Sequence, residues 1–221
     1  MGYEFDFGAI ADNLGLLLHG AGVTLALTAV AATCGVALSI AGAATSRWGP
    51  GWARDAITAY VELIRNTPFI VQLFFIFFGL PSLGLRLSAL QAAVLAMTVN
   101  LTAYSIEIVR AGIEAVPAGQ REAGLALGLR PVFIFLKIVL PQALANIYPA
   151  LVSQIIITML ESAVVSQIAV TDLTHVADFI QSRTYRAFET YFAITLVYLL
   201  MAVSLRWLLD RAGRRLFAGR R

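Results

Sequence analysis

Long apolar runs separated by short polar stretches dominate this chain. A helix that crosses the hydrocarbon core of a bilayer needs about 20 mostly apolar residues. Five stretches meet that description: Gly20 to Ala44, Ile57 to Leu80, Ser88 to Val109, Ala150 to Ala169 and Thr190 to Leu208. The first carries no charge. The second is irregular, because Pro68 leaves too little helix before Pro81 to cross a core of about 30 Å. The residues ahead of Pro68 must add depth, with a kink at Thr67-Pro68. Before the first span, Phe7, Ile10, Leu14 and Leu17 recur at helical spacing, with Asp6, Asp12 and Asn13 between them. A short helix on the membrane surface and an extension of the first span both fit that pattern.

Polar residues inside spans are costly and mark packing contacts or a pathway. Glu62 and Arg65 lie at i, i+3 in the second span and are expected to neutralise each other. In the third, Asn100, Tyr104 and Glu107 share one face at i, i+4, i+7, and Glu107 can also reach Arg110. In the fourth, Ser153, Gln154, Thr158 and Glu161 fit one stripe, with Glu161 expected near mid-depth. Both stripes, with Thr67 and Pro68 at the kink, are candidates for a substrate path or gate. Helix–helix contact is the alternative.

The longest connection runs from Arg110 to Ala145, and its centre reads PAGQREAGLALGLRP. Pro117 suits a first helical position. Glu122 lies early, toward the positive end of the helix dipole. Gly128 suits a left-handed residue after the helix, and Pro131 stops it from continuing. A helix over about Ala118 to Leu127 is expected. Isolated helices under about 12 residues are marginal, so this one needs a packing partner.

Composition agrees with a membrane chain: 59% of the 221 residues are hydrophobic and 13% charged, against roughly 25% charged in globular proteins. Charge placement then sets the orientation. With the N-terminus outside, the inner segments hold Arg47, Arg54, Arg65, Arg110, Arg121, Arg130 and Lys137. The tail adds Arg206, Arg211, Arg214, Arg215, Arg220 and Arg221, and only Arg86, Arg183 and Arg186 stay outside. That asymmetry predicts N-out, C-in. It also explains the net charge of +3 without nucleic acid as a partner. The first twelve residues hold Glu4, Asp6 and Asp12 but no Lys or Arg, unlike a cleavable signal peptide. The lone cysteine, Cys34, does not inform on redox compartment, and His19 and His175 stand apart, so no metal site is expected.

The central connection resembles the EAA loop of ABC importer permeases: Glu122, Ala123 and Gly124, then Gly128, then Ile138, Val139, Leu140 and Pro141. Gly124 stands where the pattern has Ala. GAGVTLALT at 20–28, YVELIRNTPFIVQLFFIFFGLP at 60–81, AYSIEIVRAGIEAVPAGQREAG at 103–124 and KIVLPQAL at 137–144 are similar to the polar amino-acid branch of that family. One departure is clear. Leu160, Glu161, Ser162, Ala163 and Val164 stand where the branch has Lys-Asp-Thr-Ser-Leu, which leaves the substrate open.

The resemblance implies an all-α membrane protein of about five transmembrane helices with the type I ABC importer permease fold, its N-terminus periplasmic and C-terminus cytoplasmic. It implies a periplasmic or interfacial segment at 1–19, a permease domain at 20–209 with a coupling loop at 110–145, and a basic tail at 210–221. The coupling helix would comprise Ala118, Gly119, Gln120, Arg121, Glu122, Ala123, Gly124, Leu125, Ala126, Leu127 and Gly128. The implied partners are two ATPases, a second permease (identical or homologous), a periplasmic binding protein, membrane lipid of the bacterial inner membrane, and a polar or charged amino acid. The chain has one lysine, Lys137, and no Gly-x-x-x-x-Gly-Lys phosphate loop. ATP and Mg are therefore expected in the partner ATPases, with no cofactor and no bond chemistry in this chain. The alternative function is a gradient-driven carrier using Glu107 and Glu161.

Overall fold

A computed structural model describes residues 4–217. Every regular element among the described residues is helical, with no strand among them. The helices are α1 (Gly8–Asp12), α2 (Leu14–Trp48), α3 (Gly51–Arg65), α4 (Phe69–Phe74), α5 (Ala89–Glu114), α6 (Ala118–Ala126), α7 (Pro131–Ile134), α8 (Leu140–Glu161), α9 (Leu173–Thr184) and α10 (Ala187–Leu216). Arg220 and Arg221 of the tail, and Met1 to Tyr3 of the N-terminal segment, lie outside the described residues.

Four helical stretches are long and apolar enough to span a membrane: 14–48, 89–114, 131–168 and 187–216. A fifth, 51–83, is α3 plus α4 with its π and 3-10 continuation, and it bends by 109°. The kink expected at Thr67-Pro68 is thus a right-angle turn. Proline lacks the N–H that would continue the ladder and pushes the preceding residue out of helical conformation. Pro68 itself is the extended residue (ψ 140°) just ahead of α4.

Two other expectations change. Both N-terminal readings hold in part: α1 is a short helix, and α2 starts at Leu14, with Leu17 buried in the bundle. The fourth span begins near Pro131, not Ala150, so the connection expected over 110–145 is largely helix. Pro131 takes a first helical position, where its missing N–H costs nothing. A π turn at Phe135–Val139 then precedes Pro141.

The core forms where α2 lies along α5. Small residues permit that approach, as is usual between spanning helices. A Cβ on Gly42 of α2 would meet Ile106 of α5 at 2.6 Å, and where α5 packs on α8 a Cβ on Gly112 would meet Ile147 at 2.6 Å. Ala31, Ala43, Ala92, Ala93, Ala96 and Ala103 have no exposed surface. Outside the spans, α9 packs Leu173, Val176, Ala177 and Ile180 against α2 and α10. Glu189 of α10 is wholly buried and accepts hydrogen bonds from the Asp6 amide (3.1 Å) and Arg186 (3.4 Å), which fastens the N-terminal segment to α10.

Candidate functional site

The break between α3 and α4 strands backbone carbonyls inside an apolar bundle, where each unpaired group is expensive. The Gln72 amide meets that need. Its Nε2 donates to the carbonyls of Ile64 (2.7 Å) and Thr67 (3.0 Å) and to the Thr67 hydroxyl (3.0 Å). Its Oε1 accepts from Asn100 Nδ2 at 3.0 Å, tying the break to α5. Sequence reasoning singled out Thr67, Pro68 and Asn100 but missed Gln72. The signal was present: one amide inside the run FIVQLFF.

One and two turns along α5 from Asn100, Tyr104 and Glu107 face a polar cleft of about 580 Å3, shared with Thr58, Glu62, Arg65 and Arg110. Arg65 does not pair with Glu62 as expected. It crosses to α5, where it lies 3.5 Å from Glu107 and 5.5 Å over the Tyr104 ring. The cause is position: Arg65 ends α3 at the bend, beside α5. Glu107 also accepts from Arg110 through both oxygens, at 3.1 and 2.9 Å, and Arg110 reaches Glu114 at 3.3 Å. The pair partners are about one-third to one-half exposed, so each pair adds little stability. Their effect is to line the cleft with alternating charge suited to a polar or zwitterionic solute.

The stripe on α8 stands apart. Gln154 and Thr158 are buried, Ser153 and Glu161 half-buried, and none lines the α5 cleft. Glu161 is the last residue of α8, where the helix tightens into a 3-10 segment over Ser162–Ile168. It joins no ion pair among the described residues. The Thr158 hydroxyl is buried without a hydrogen-bond partner among the described residues.

The helix expected at the centre of the long connection is α6. Gly128 is left-handed (φ +70°), its N–H donates to Leu125 O (2.9 Å), and Leu129 N–H donates to Gly124 O (3.1 Å). Those two bonds make a Schellman cap. Pro117 is the residue before the helix, one place earlier than expected. From Ala118 to Gly128 only Gly124 is buried, against Ile134 of α7, and Leu125 and Leu127 stand exposed. An apolar cleft of about 470 Å3 opens between α6, α7 and the end of α2, lined by Trp48, Arg121, Leu125 and Phe135.

These features define a multi-pass membrane protein with a polar cleft in its bundle and one short helix held outside it. Residues 15–218 match the family of binding-protein-dependent transport system inner membrane components, and the chain belongs to that family. It is 34% identical over 216 residues to the glutamine transport system permease protein GlnP of Escherichia coli K12, covering 96% of this chain and 98% of that protein. It is equally similar, 34% over 217 residues with the same coverage, to the arginine transport system permease protein ArtQ of Bacillus subtilis. The crystal structure of an amino acid ABC transporter with histidines superposes with a TM-score of 0.86 at 39% identity, covering 96% of this chain and all of that one. An inward-facing MetNI methionine ABC transporter shares the fold at 23% identity and a TM-score of 0.76, over 92% and 97% of the two chains. The fold is that of the type I ABC importer permeases, and family membership replaces the reading as a gradient-driven carrier.

Proposed function

We propose that this chain is the permease subunit of an ABC importer for polar or charged amino acids, driven through α6 by separate ATPases. The observation that carries the reading is α6 itself. It is a nine-residue helix held outside the bundle with one buried residue, too short and too bare to persist without a partner. The transport of glutamine and arginine by the relatives supports the substrate class. So does the cleft at Arg65, Tyr104, Glu107 and Arg110, whose paired charges suit an ammonium and a carboxylate. Glu161, Thr158, Ser153 and Gln154 are further pathway candidates.

A second permease, identical or homologous, completes the channel, and a periplasmic binding protein delivers the solute. ATP and Mg bind the ATPases, whose closure moves α6 from the cytoplasmic side of the inner membrane. The N-terminus is periplasmic. Because α6 is capped at Gly128 and joined at once to the helix begun by Pro131, its displacement passes to α8 and thence to the bundle.

Glu122→Lys tests the coupling assignment. Glu122 is exposed on α6, so the change leaves membrane insertion intact while ATPase association or transport is lost. Normal transport by this variant with its ATPase overturns the assignment. The substrate class is tested on the copurified binding protein by calorimetry with glutamine, arginine and histidine. Binding of a sugar or an apolar amino acid instead, with none of these three, overturns it.

A further inference from the structure

The surface of α10 changes character along its length. Phe188, Tyr191 and Phe192 are exposed at its start, and Leu196, Leu199, Leu200 and Val203 along its middle. Trp207 follows, 59% exposed. From Phe188 to Trp207 the helix rises about 28 Å, close to the hydrocarbon thickness of about 30 Å. Aromatic residues collect at the two membrane–water interfaces. This helix therefore marks both of them, and Trp207 fixes one at headgroup level.

Arg211, Arg214 and Arg215 follow at i+4, i+7 and i+8 from Trp207, on the same face. All three are exposed. Arg211 lies over the Trp207 ring at 5.6 Å. None of the three joins an ion pair among the described residues. Asp210, the acid within this stretch, is half-buried and turned toward α8, lining a cleft of about 150 Å3 with Tyr148 and Phe217, and Arg214, one turn further on, lines the same cleft while staying exposed. The helix dipole favours a cation in the last turn. It does not account for Arg211 and Trp207 in the turns before it.

The opposite face is already occupied. Tyr148 of α8 donates to Leu209 O (2.7 Å), and its ring lies so close to Gly213 that a Cβ there would overlap it. Packing therefore pins α10 in rotation and leaves Arg211 and Arg215 outward at headgroup depth, with the exposed Arg214 at the border of the α8 cleft.

We propose that Trp207, Arg211, Arg214 and Arg215 form a binding site for the phosphate of an anionic phospholipid. The guanidinium groups hold the headgroup, and the indole and the apolar surface below it hold the acyl chains. A basic juxtamembrane residue gains about fivefold in partition to an anionic surface, so three aligned arginines retain lipid about a hundredfold better than their neutral counterparts.

The test is made on the whole importer, purified and placed in nanodiscs of phosphatidylcholine with added phosphatidylglycerol. Phosphatidylglycerol bound per permease is counted by mass spectrometry of extracted lipid. The wild type is compared with R211Q/R214Q/R215Q, with the three Arg→Lys changes, and with Arg183→Gln at the far end of the bundle. The triple Gln variant is expected to lose about a hundredfold in apparent affinity, and the single Arg211→Gln about fivefold should the triple variant misfold. The Lys variant and Arg183→Gln keep their lipid, and inorganic phosphate at equal concentration does not compete. Unchanged retention in the Gln variants overturns the proposal. So does displacement by free phosphate. Loss of an ATPase or second permease with lipid retained also overturns it and makes the stripe a protein contact.

Discussion

At the scale of single residues, Gln72 and Asp172 show how the bundle answers exposed backbone. Gln72 →Leu removes the amide that satisfies the Ile64 and Thr67 carbonyls and leaves Asn100 Nδ2 without its acceptor. An unmade buried bond costs about 1–3 kcal/mol. The expected outcome is a lower unfolding temperature in detergent together with slower transport, since Asn100 and the cleft below it share α5. Unfolding at the wild-type temperature would show that the break holds without the amide. Asp172, outside the spans, caps α9 by accepting the His175 N–H at 2.9 Å and lies 3.4 Å from the Tyr198 hydroxyl. Burial pushes its carboxyl from 3.8 up to about 6, although the amides of His175 and Thr174 pull it down. A folded-state pKa raised in this way contributes stability below the unfolded value and loses it as pH rises through the folded one. Wild type should therefore lose stability relative to Asp172→Asn between pH 3.8 and about 6, by on the order of 3 kcal/mol. The difference should be flat on either side of that window. Thermal unfolding of the pair across pH reads the effect, and parallel curves throughout would contradict it.

At the scale of elements, α6 is held by its cap and by a single close approach. A Cβ on Gly124 would meet Ile134 Cγ1 at 2.9 Å and Cδ1 at 3.0 Å. Cδ1 ends the Ile134 side chain and Cγ1 is the carbon before it, so a small turn of that side chain makes room for one methyl, and Gly124→Ala should transport at near wild-type rate. Gly124→Leu has no room and lifts α6 from α7, and transport should fall at least tenfold at normal membrane levels. Equal rates for the two variants would mean that the seating of α6 does not matter. The same element shows what the sequence made legible. The cap residues Pro117 and Gly128 announced α6 within one residue, because cap chemistry is local. The spans α2, α5 and α10 were equally readable from uninterrupted apolar runs. The right angle between α3 and α4 was not, because Pro68 permits any break and its size depends on Gln72 meeting Asn100 from another helix. The start of the fourth span was not legible because Lys137, Pro141 and Pro149 interrupt the apolar run there. In the structure a π turn leads into Pro141, and the helix continues through Pro149. Helix α9 falls between the two last expected spans and was not anticipated, although Leu173, Val176, Ala177 and Ile180 repeat at helical spacing. Of the candidate site, Tyr104 and Glu107 were found by their shared face. Arg65 was assigned the wrong partner, because i, i+3 spacing on α3 carries no information about α5.

At the scale of the whole molecule, orientation links the cleft, the coupling helix and the lipid stripe to their compartments. The charge count puts Arg47, Arg54, α6 and the end of α10 on one side, and α9 with Arg183 and Arg186 on the other. The structure keeps those groups at the ends of spanning helices, so one measurement on either side tests the entire arrangement. Cys34 is the single cysteine and is exposed on α2, so Cys34→Ser gives a thiol-free background. Tyr185, 88% exposed between α9 and α10, and Trp52, 76% exposed at the start of α3, are each replaced by cysteine in that background. A membrane-impermeant maleimide added to intact cells should label Tyr185→Cys. It should label Trp52→Cys only after the membrane is opened. The reverse pattern would place α6 outside, where no ATP is available, and would remove the basis for coupling at Glu122 while leaving the fold untouched. Labelling of both sites in intact cells would mean that one of the three spans between them, the bent pair α3–α4, α5 or the span over 131–168, does not cross. The bent pair α3–α4 would then be the helix to re-examine first, because it alone reaches its span only by counting two segments 109° apart.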